Sequence, residues 1–71
     1  MPARTFSPDA LRQIRRERGV SQRRLAICLG IHNTAISAYE NGRRRPDVNT
    51  LATIADALGV RMDDFVKAGA A

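Results

Sequence analysis

Hydrophobic side chains recur along this 71-residue chain with the spacing of an α-helix, and polar side chains fill the positions between them. No segment alternates hydrophobic and polar residues at a period of two for long enough to indicate a β-strand. Glycine and proline divide the pattern into short segments, which we interpret as helices separated by tight turns. The sequence therefore predicts an all-α fold, a compact five-helix bundle.

Several predicted helices have a recognisable start. Residue types that cap helix N-termini precede three of them: Ser7, Ser21 and Asp47. The fifth helix is short and is expected to cover about Met62 to Lys67. The whole chain, residues 1–71, is interpreted as a single domain, with residues 1–5 and 68–71 as flexible extensions.

Two short predicted helices in the middle of the chain, the second and the third, are joined by a turn at Gly30. Helices this short with so short a connection cannot lie antiparallel, so we expect them to cross steeply. Ala26 is the small residue that lets the third helix approach the second, and Ile31 fills the turn. Ile36 and Tyr39 anchor the third helix to the core. This arrangement is a helix-turn-helix.

The side of the third helix opposite Ile36 and Tyr39 is polar but uncharged. At about 100° per residue, five side chains fall within an arc of about 140° on that side: Asn33, Thr34, Ser37, Ala38 and Asn41. A face that contacts only water would more often carry charged residues in so basic a chain, although a polar face without a partner is the alternative. Short amides and hydroxyls let a helix enter the major groove and contact base edges. The residues expected to contact bases are Asn33, Thr34, Ser37 and Ala38.

Charge is distributed unevenly along the chain. There are 12 Lys and Arg residues against 7 Asp and Glu, which gives a net charge of +5. Residues 1–45 hold ten arginines and three acidic residues, a balance of +7, whereas residues 46–71 have a balance of −2. Because guanidinium groups bind phosphate bidentately, the basic half favours a nucleic acid partner. A basic surface that only keeps the protein soluble is the alternative.

The composition narrows the class of protein further. Hydrophobic residues make up 44% and charged residues 27%, as in soluble globular domains. No segment approaches the roughly 20 apolar residues of a membrane span. The single cysteine allows no internal disulfide, and the spacings of zinc ligands and paired catalytic groups are absent. We therefore expect a cytoplasmic binding module with no catalytic residue, cofactor or metal.

Taken together, several segments between residues 10 and 66 carry a resemblance: Ser21-Gln22, Leu25-Ala26, Leu29-Gly30-Ile31, Ile36-Ser37, Tyr39-Glu40-Asn41-Gly42, Arg45-Pro46 and Leu51 through Val60. They resemble the lambda-repressor-like DNA-binding domains, the Cro/cI type of helix-turn-helix. The resemblance implies a transcriptional regulator whose third helix reads the major groove. It also implies an ion pair between Arg15 and Glu40 that ties the first helix to the end of the third.

The resemblance further implies contacts with the DNA backbone. Gln22 is similar to the family glutamine that contacts a phosphate and braces the recognition helix. The residues expected to contact phosphates are Gln22, Arg23, His32, Asn41, Arg43 and Arg44. The sequence departs from the family pattern at two positions. His32 stands where a Ser or Thr usually caps the recognition helix, and Ala38 stands where relatives often have a longer side chain, which leaves less direct base readout.

One recognition helix reads only about four base pairs, too few to select a site in a genome. We therefore expect a homodimer on a palindromic operator, with Met62 and Val66 as candidates for the dimer interface and with repression favoured over activation. Controllers of restriction-modification genes and antitoxins have a similar size and build. The alternative function is a helical protein-interaction module, for example one with antitoxin-like partner binding, that does not read DNA.

Overall fold

The computed structural model describes residues 4–68, which form four α-helices, one 3-10 helix and a two-stranded sheet. The elements in chain order are β1 (Arg4–Phe6), α1 (Pro8–Glu17), α2 (Gln22–Leu29), α3 (Asn33–Glu40), α4 (Val48–Leu58), the 3-10 helix (Met62–Phe65) and β2 (Val66–Ala68). The helical fold and the helix-turn-helix, formed by α2 and α3, are confirmed. The predicted number of five helices is wrong, because the described residues contain four.

Three of these helices begin with the same kind of cap. Ser7, Ser21 and Asp47 each accept a hydrogen bond from the backbone N–H three residues further on, at 3.2, 3.0 and 2.7 Å. Thr50 donates hydrogen bonds to the Asp47 carboxylate from its backbone N–H and also from its side chain. These bonds, the backbone one first, lower the pKa of the Asp47 carboxyl. Helix α2 ends at Gly30, whose φ of 71° is a conformation that glycine adopts without strain.

The core takes one fully buried large side chain from each helical element. These side chains are Leu11, Leu25, Ile36, Ile54 and Phe65, each with 0% of its surface exposed. Burying one such side chain stabilises the folded state by about 1.5–3 kcal/mol. Packing of α1, α2, α3, α4 and the 3-10 helix around this cluster therefore holds the domain together.

The end of the described chain differs from the expectation. The fifth helix predicted over Met62 to Lys67 is wrong, since a 3-10 helix there is followed at once by β2, which pairs antiparallel with β1. Strands of three residues are too short for a period of two to show in the sequence. The flexible segments expected at residues 1–5 and 68–71 therefore overlap the two strands. Their remaining positions, 1–3 and 69–71, lie outside the described residues.

Two hydrogen bonds account for this local structure. The Asp64 carboxylate accepts from the backbone N–H of Arg61 at 3.0 Å, which closes the start of the 3-10 helix. The carbonyl of Phe65 accepts from the backbone N–H of Ser7 at 2.7 Å. Because this bond ties Phe65 to the residue before α1, the chain continues in an extended form alongside β1 rather than as a helix.

Helix α3 packs against both α2 and α1, and α4 packs behind α2. This arrangement leaves one side of α3 at the surface. Within the described part of the chain, no helix is both long and apolar enough to cross a membrane.

Candidate nucleic-acid interface

The turn before α3 is fixed by backbone hydrogen bonds. The N–H groups of Gly30 and Ile31 donate to carbonyls near the end of α2, and the bond from Ile31 to Ala26 is 3.0 Å long. Ile31 is half-buried against the core, as the sequence predicted for the residue that fills the turn. Ala26 is 2% exposed, so a small side chain lies inside the packed motif. The turn therefore sets the direction in which α3 leaves α2.

Helix α3 buries one side and presents the other to solvent. Ile36, Tyr39 and Glu40 are buried, with exposed fractions of 0%, 6% and 4%. The other side carries the four residues predicted to contact bases: Asn33 and Thr34, which are exposed, and Ser37 and Ala38, which are half-buried. We call these four residues the recognition face. It is short, polar and uncharged.

A buried ionic network holds the C-terminal end of α3. The Arg15 Nε donates to Glu40 Oε2 at 2.5 Å, and Arg15 Nη2 donates to Glu40 Oε1 at 3.1 Å. Gln22 Nε2 donates to the same Oε1 at 3.1 Å, and Arg15 Nη1 donates to the carbonyl of Val20 at 2.7 Å. The network therefore joins α1, the start of α2 and the end of α3. It also engages one N–H of the half-buried Gln22 amide.

The arginine-rich loop after α3 folds back onto that helix. The backbone N–H groups of Arg43 and Arg44 both donate to the carbonyl of Ala38, at 2.9 and 3.3 Å. The Asn41 side-chain oxygen accepts from the N–H of Arg43 at 3.4 Å. The guanidinium carbon of Arg44 lies over the ring of Tyr39, 5.9 Å from its centroid, which is within the range of a cation–π interaction. The loop is therefore attached next to the recognition face.

A surface cleft of about 490 Å³ opens between the turn, α3 and this loop. Its lining includes Ile31, Thr34, Ala35, Ala38 and Arg44. The sequence interpretation did not assign Ala35 to the site and did not predict the contact between Arg44 and Tyr39. The sequence did contain a signal for part of the cleft. Residues three and four apart share a side of a helix, and this spacing places Ala35, Ala38 and Tyr39 on one side of α3.

The other residues predicted to contact phosphates lie at three places around the helix-turn-helix. Arg23 is in the first turn of α2, His32 immediately precedes α3, and Asn41 and Arg43 follow α3. All four are exposed. His32 occupies the N-cap position of α3, but its side chain makes no capping hydrogen bond.

The two candidates for a dimer interface lie on the 3-10 helix and at the start of β2. Met62 and Val66 are half-buried and pack against the core. Met62 also lines a surface groove of about 360 Å³, together with Ala52, Asp56 and Arg61. Val66 is paired with Phe6 in the sheet register. Of the two candidates, Met62 is therefore the one placed in an open groove.

The part of the chain that the structure describes contains His, Cys, Asp and Glu residues, which are types that bind metal ions. No group of three or more His, Cys, Asp or Glu residues there could hold a metal ion. Cys28 and His32 are both exposed and lie on either side of the turn at Gly30.

Comparison with known proteins agrees with this geometry. The helix-turn-helix family model matches residues 11–65, and the chain belongs to this family, in its Cro/cI type. It is 37% identical over 59 residues to the SPbeta prophage-derived HTH-type transcriptional regulator YonR of Bacillus subtilis (strain 168). That match covers 83% of this chain but 55% of YonR, so the chain spans about half the length of that relative.

Two solved structures show the same fold. The clp gene regulator ClgR from Corynebacterium glutamicum superposes with a TM-score of 0.78 at 33% identity, over 82% of this chain and 62% of ClgR. The DNA-binding domain of the P22 c2 repressor superposes with a TM-score of 0.77 at 25% identity, over 83% of this chain and 78% of that domain. The family is thus one of DNA-binding transcriptional regulators.

Proposed function

We propose that this chain is a sequence-specific transcriptional regulator that binds double-stranded DNA by inserting α3 into the major groove. The observation that carries the proposal is the recognition face, an uncharged surface of short side chains on the outer side of α3, with exposed arginines next to it. Base-edge contacts specify a DNA sequence, whereas phosphate contacts position the protein on the duplex. The recognition face offers residues suited to base contacts, and the exposed arginines are suited to phosphate contacts.

The recognition face supplies the base contacts in this proposal. The Asn33 amide can pair bidentately with adenine N6 and N7, and the Thr34 hydroxyl can bond to either type of base. Ser37 offers a second hydroxyl. Ala38 can only pack on a thymine methyl group, so it recognises shape rather than hydrogen-bonding atoms. A preference for A·T base pairs opposite Asn33 follows.

The exposed residues on either side of α3 supply the phosphate contacts. Arg23 and Arg43 carry charge, and His32 and Asn41 add hydrogen-bonding groups at the two ends of α3. Gln22 has one amide N–H left for a phosphate while the other stays on Glu40. Because neutralising phosphates releases counterions, binding through these residues weakens steeply as salt rises.

We further propose that the regulator acts as a homodimer on a palindromic operator and represses transcription by occupying promoter DNA. The groove that contains Met62 carries both Asp56 and Arg61, and a two-fold interface must be complementary to itself. A surface with both signs of charge around an apolar centre meets that requirement. Such a dimer must place two copies of α3 about one turn of DNA apart, because that is the spacing of palindromic half-sites.

The test is the selection of bound duplexes from a random pool, followed by titration of the selected site over a range of salt concentrations. We expect a palindromic site, and an association constant that falls by orders of magnitude between low and high salt. An absence of any affinity for duplex DNA at low salt would contradict the proposal. It would instead favour the protein-interaction module, for which the exposed hydrophobic residues Ile27 and Val48 are the supporting observation.

A further inference from the structure

We propose that Arg44 reads a guanine base, rather than contacting a phosphate as the sequence suggested. This inference rests on the proposed function, because it concerns how the same surface selects its DNA site. It adds a base-reading residue that lies outside the recognition helix. The structural basis is the position of the Arg44 side chain at the edge of the recognition face.

The backbone of Arg44 is hydrogen-bonded to the last turn of α3. Its N–H donates to the carbonyl of Ala38, a member of the recognition face, at 3.3 Å. Its side chain then lies over the ring of Tyr39, and Tyr39 itself is only 6% exposed. A ring held in the core is a fixed support, so Arg44 is held close to α3 although it belongs to a loop.

The cleft that Arg44 lines also contains residues of the recognition face. Thr34 and Ala38 from the recognition face line the same cleft as Arg44. Ala35 and Ala38, which also line it, have small side chains and leave room for a base edge. A base pair whose edge lies against Ala38 would therefore be within reach of Arg44.

The chemistry of arginine favours guanine as the partner. A guanidinium group held over an aromatic ring keeps the N–H donors at its edge free, because the ring contacts its face. Arginine pairs bidentately with O6 and N7 of guanine, and this pair is the commonest specific contact between proteins and DNA. A ring that limits the motion of the side chain also reduces the conformational entropy lost when both bonds form.

Arg43 provides a matched comparison within the same loop. Its backbone N–H donates to the same Ala38 carbonyl, at 2.9 Å, and its side chain is also exposed. Among the described residues, however, the arginine that lies over a ring and lines the cleft is Arg44. We therefore assign base reading to Arg44 and leave Arg43 as a phosphate contact.

The experiment compares Arg44→Lys with Arg43→Lys on duplexes that carry each of the four base pairs at every position of the selected site. Lysine keeps the charge but lacks the planar fork that binds guanine bidentately. We expect the wild-type protein to prefer guanine at one position by roughly 5- to 150-fold, the range of a good bidentate contact. Arg44→Lys should lower this preference several-fold, because an ammonium group lacks the planar fork that matches O6 and N7, while Arg43→Lys should leave it unchanged.

A second measurement changes the DNA instead of the protein. In 7-deazaguanine the N7 acceptor is replaced by a C–H group, so the wild-type protein should lose affinity for a duplex substituted at that position. Arg44→Lys should lose less affinity than the wild type on the same substitution. If Arg44→Lys and Arg43→Lys retain identical preferences at every position, or if the selected site has no guanine dependence, the assignment of Arg44 is overturned. A wild-type protein that selects no site overturns the proposed function, and with it this assignment.

Discussion

Glu40 lies in the core at 4% exposure, where an unpaired carboxylate would be strongly unfavourable. Its two oxygens are bonded to Arg15 and Gln22, so every charge in this part of the core has a partner. Among the described residues, no buried side-chain nitrogen or oxygen lacks a hydrogen bond. The network therefore serves to position the end of α3, which is the helix that carries the recognition face.

Glu40→Ala should destabilise the protein by about 3–5 kcal/mol, because it leaves the guanidinium of Arg15 buried without a counter-charge. The double variant Arg15→Met, Glu40→Leu should lose less than Glu40→Ala alone, since it removes both charges and fills the volume with apolar atoms. Urea unfolding followed by circular dichroism measures both variants. Equal losses in the single and the double variant would show that the buried charge is not the cause.

Asn33 and Arg43 should respond differently to replacement by alanine. Asn33→Ala is expected to lose about 1–3 kcal/mol of binding free energy and to relax the preference at one base pair. Arg43→Ala should weaken binding to all sequences alike and should reduce the slope of log K against log salt by about 1. Fluorescence anisotropy with competitor duplexes measures both effects. The reverse pattern would mean that the two kinds of contact are wrongly assigned.

The position of the recognition face could be predicted from the sequence because a helical period is a local property. Once Ile36 and Tyr39 are placed inside, the opposite side of α3 follows from about 100° per residue. The position of Arg44 could not be predicted in this way. It depends on the path of a loop, which is set by hydrogen bonds to Ala38 and by the buried ring of Tyr39.

At the scale of secondary-structure elements, α3 differs from the other helices in its N-cap. The helices that begin after Ser7, Ser21 and Asp47 have a side-chain cap, whereas His32 makes no such bond. The backbone at His32 is nevertheless in the extended conformation of an N-cap, with φ of −74° and ψ of 147°. The geometry therefore allows a cap that the imidazole does not supply.

His32→Ser should stabilise the protein by about 1 kcal/mol, because a serine hydroxyl can accept from the backbone N–H of Thr34 or share the N–H of Ala35, which donates to the carbonyl of residue 32 at 3.0 Å. A gain of this size raises the Tm of so small a domain by about 4–8 °C. Thermal unfolding measures the change, and His32→Ala, which adds no hydroxyl, is the control. If the serine and alanine variants have the same Tm, the missing cap does not limit stability. Because His32 is also a proposed phosphate contact, the serine variant should bind DNA no more tightly than the wild type.

Local sequence predicts the boundaries of the α-helices but not the 3-10 helix and strand that follow α4. The starts of α1, α2 and α4 follow from side-chain caps, and a glycine lies just after the end of each of the four α-helices, so these signals act within a few residues. The 3-10 helix and β2 depend on the bond from Ser7 to Phe65, which joins residues far apart in the chain. The helical pattern around Met62 was therefore wrong about the backbone that follows Phe65, which is the strand β2.

At the scale of the whole molecule, the boundary between the basic and the acidic segment of the chain falls just before α4. The segment with a balance of +7 contains α1, α2, α3 and the arginine-rich loop, whereas the segment with −2 contains α4, the 3-10 helix and β2. Two different surfaces therefore face two different partners in the proposed complex. In the proposed complex the basic part would bind the duplex, and the groove around Met62 would bind a second copy of the chain.

Met62→Lys should separate these two tasks, because a charge placed at the apolar centre of a two-fold interface meets its own copy. We expect the variant to sediment as a monomer and to bind a single half-site with wild-type affinity while losing the tighter binding to the full palindrome. Ile27→Lys makes the same change at a side chain that is 69% exposed on α2, and it should leave the dimer intact. Thermal unfolding checks that both variants fold. A dimer that survives Met62→Lys with unchanged binding to the palindrome would exclude this groove as the interface, and the two recognition helices would then have to be brought together by another surface.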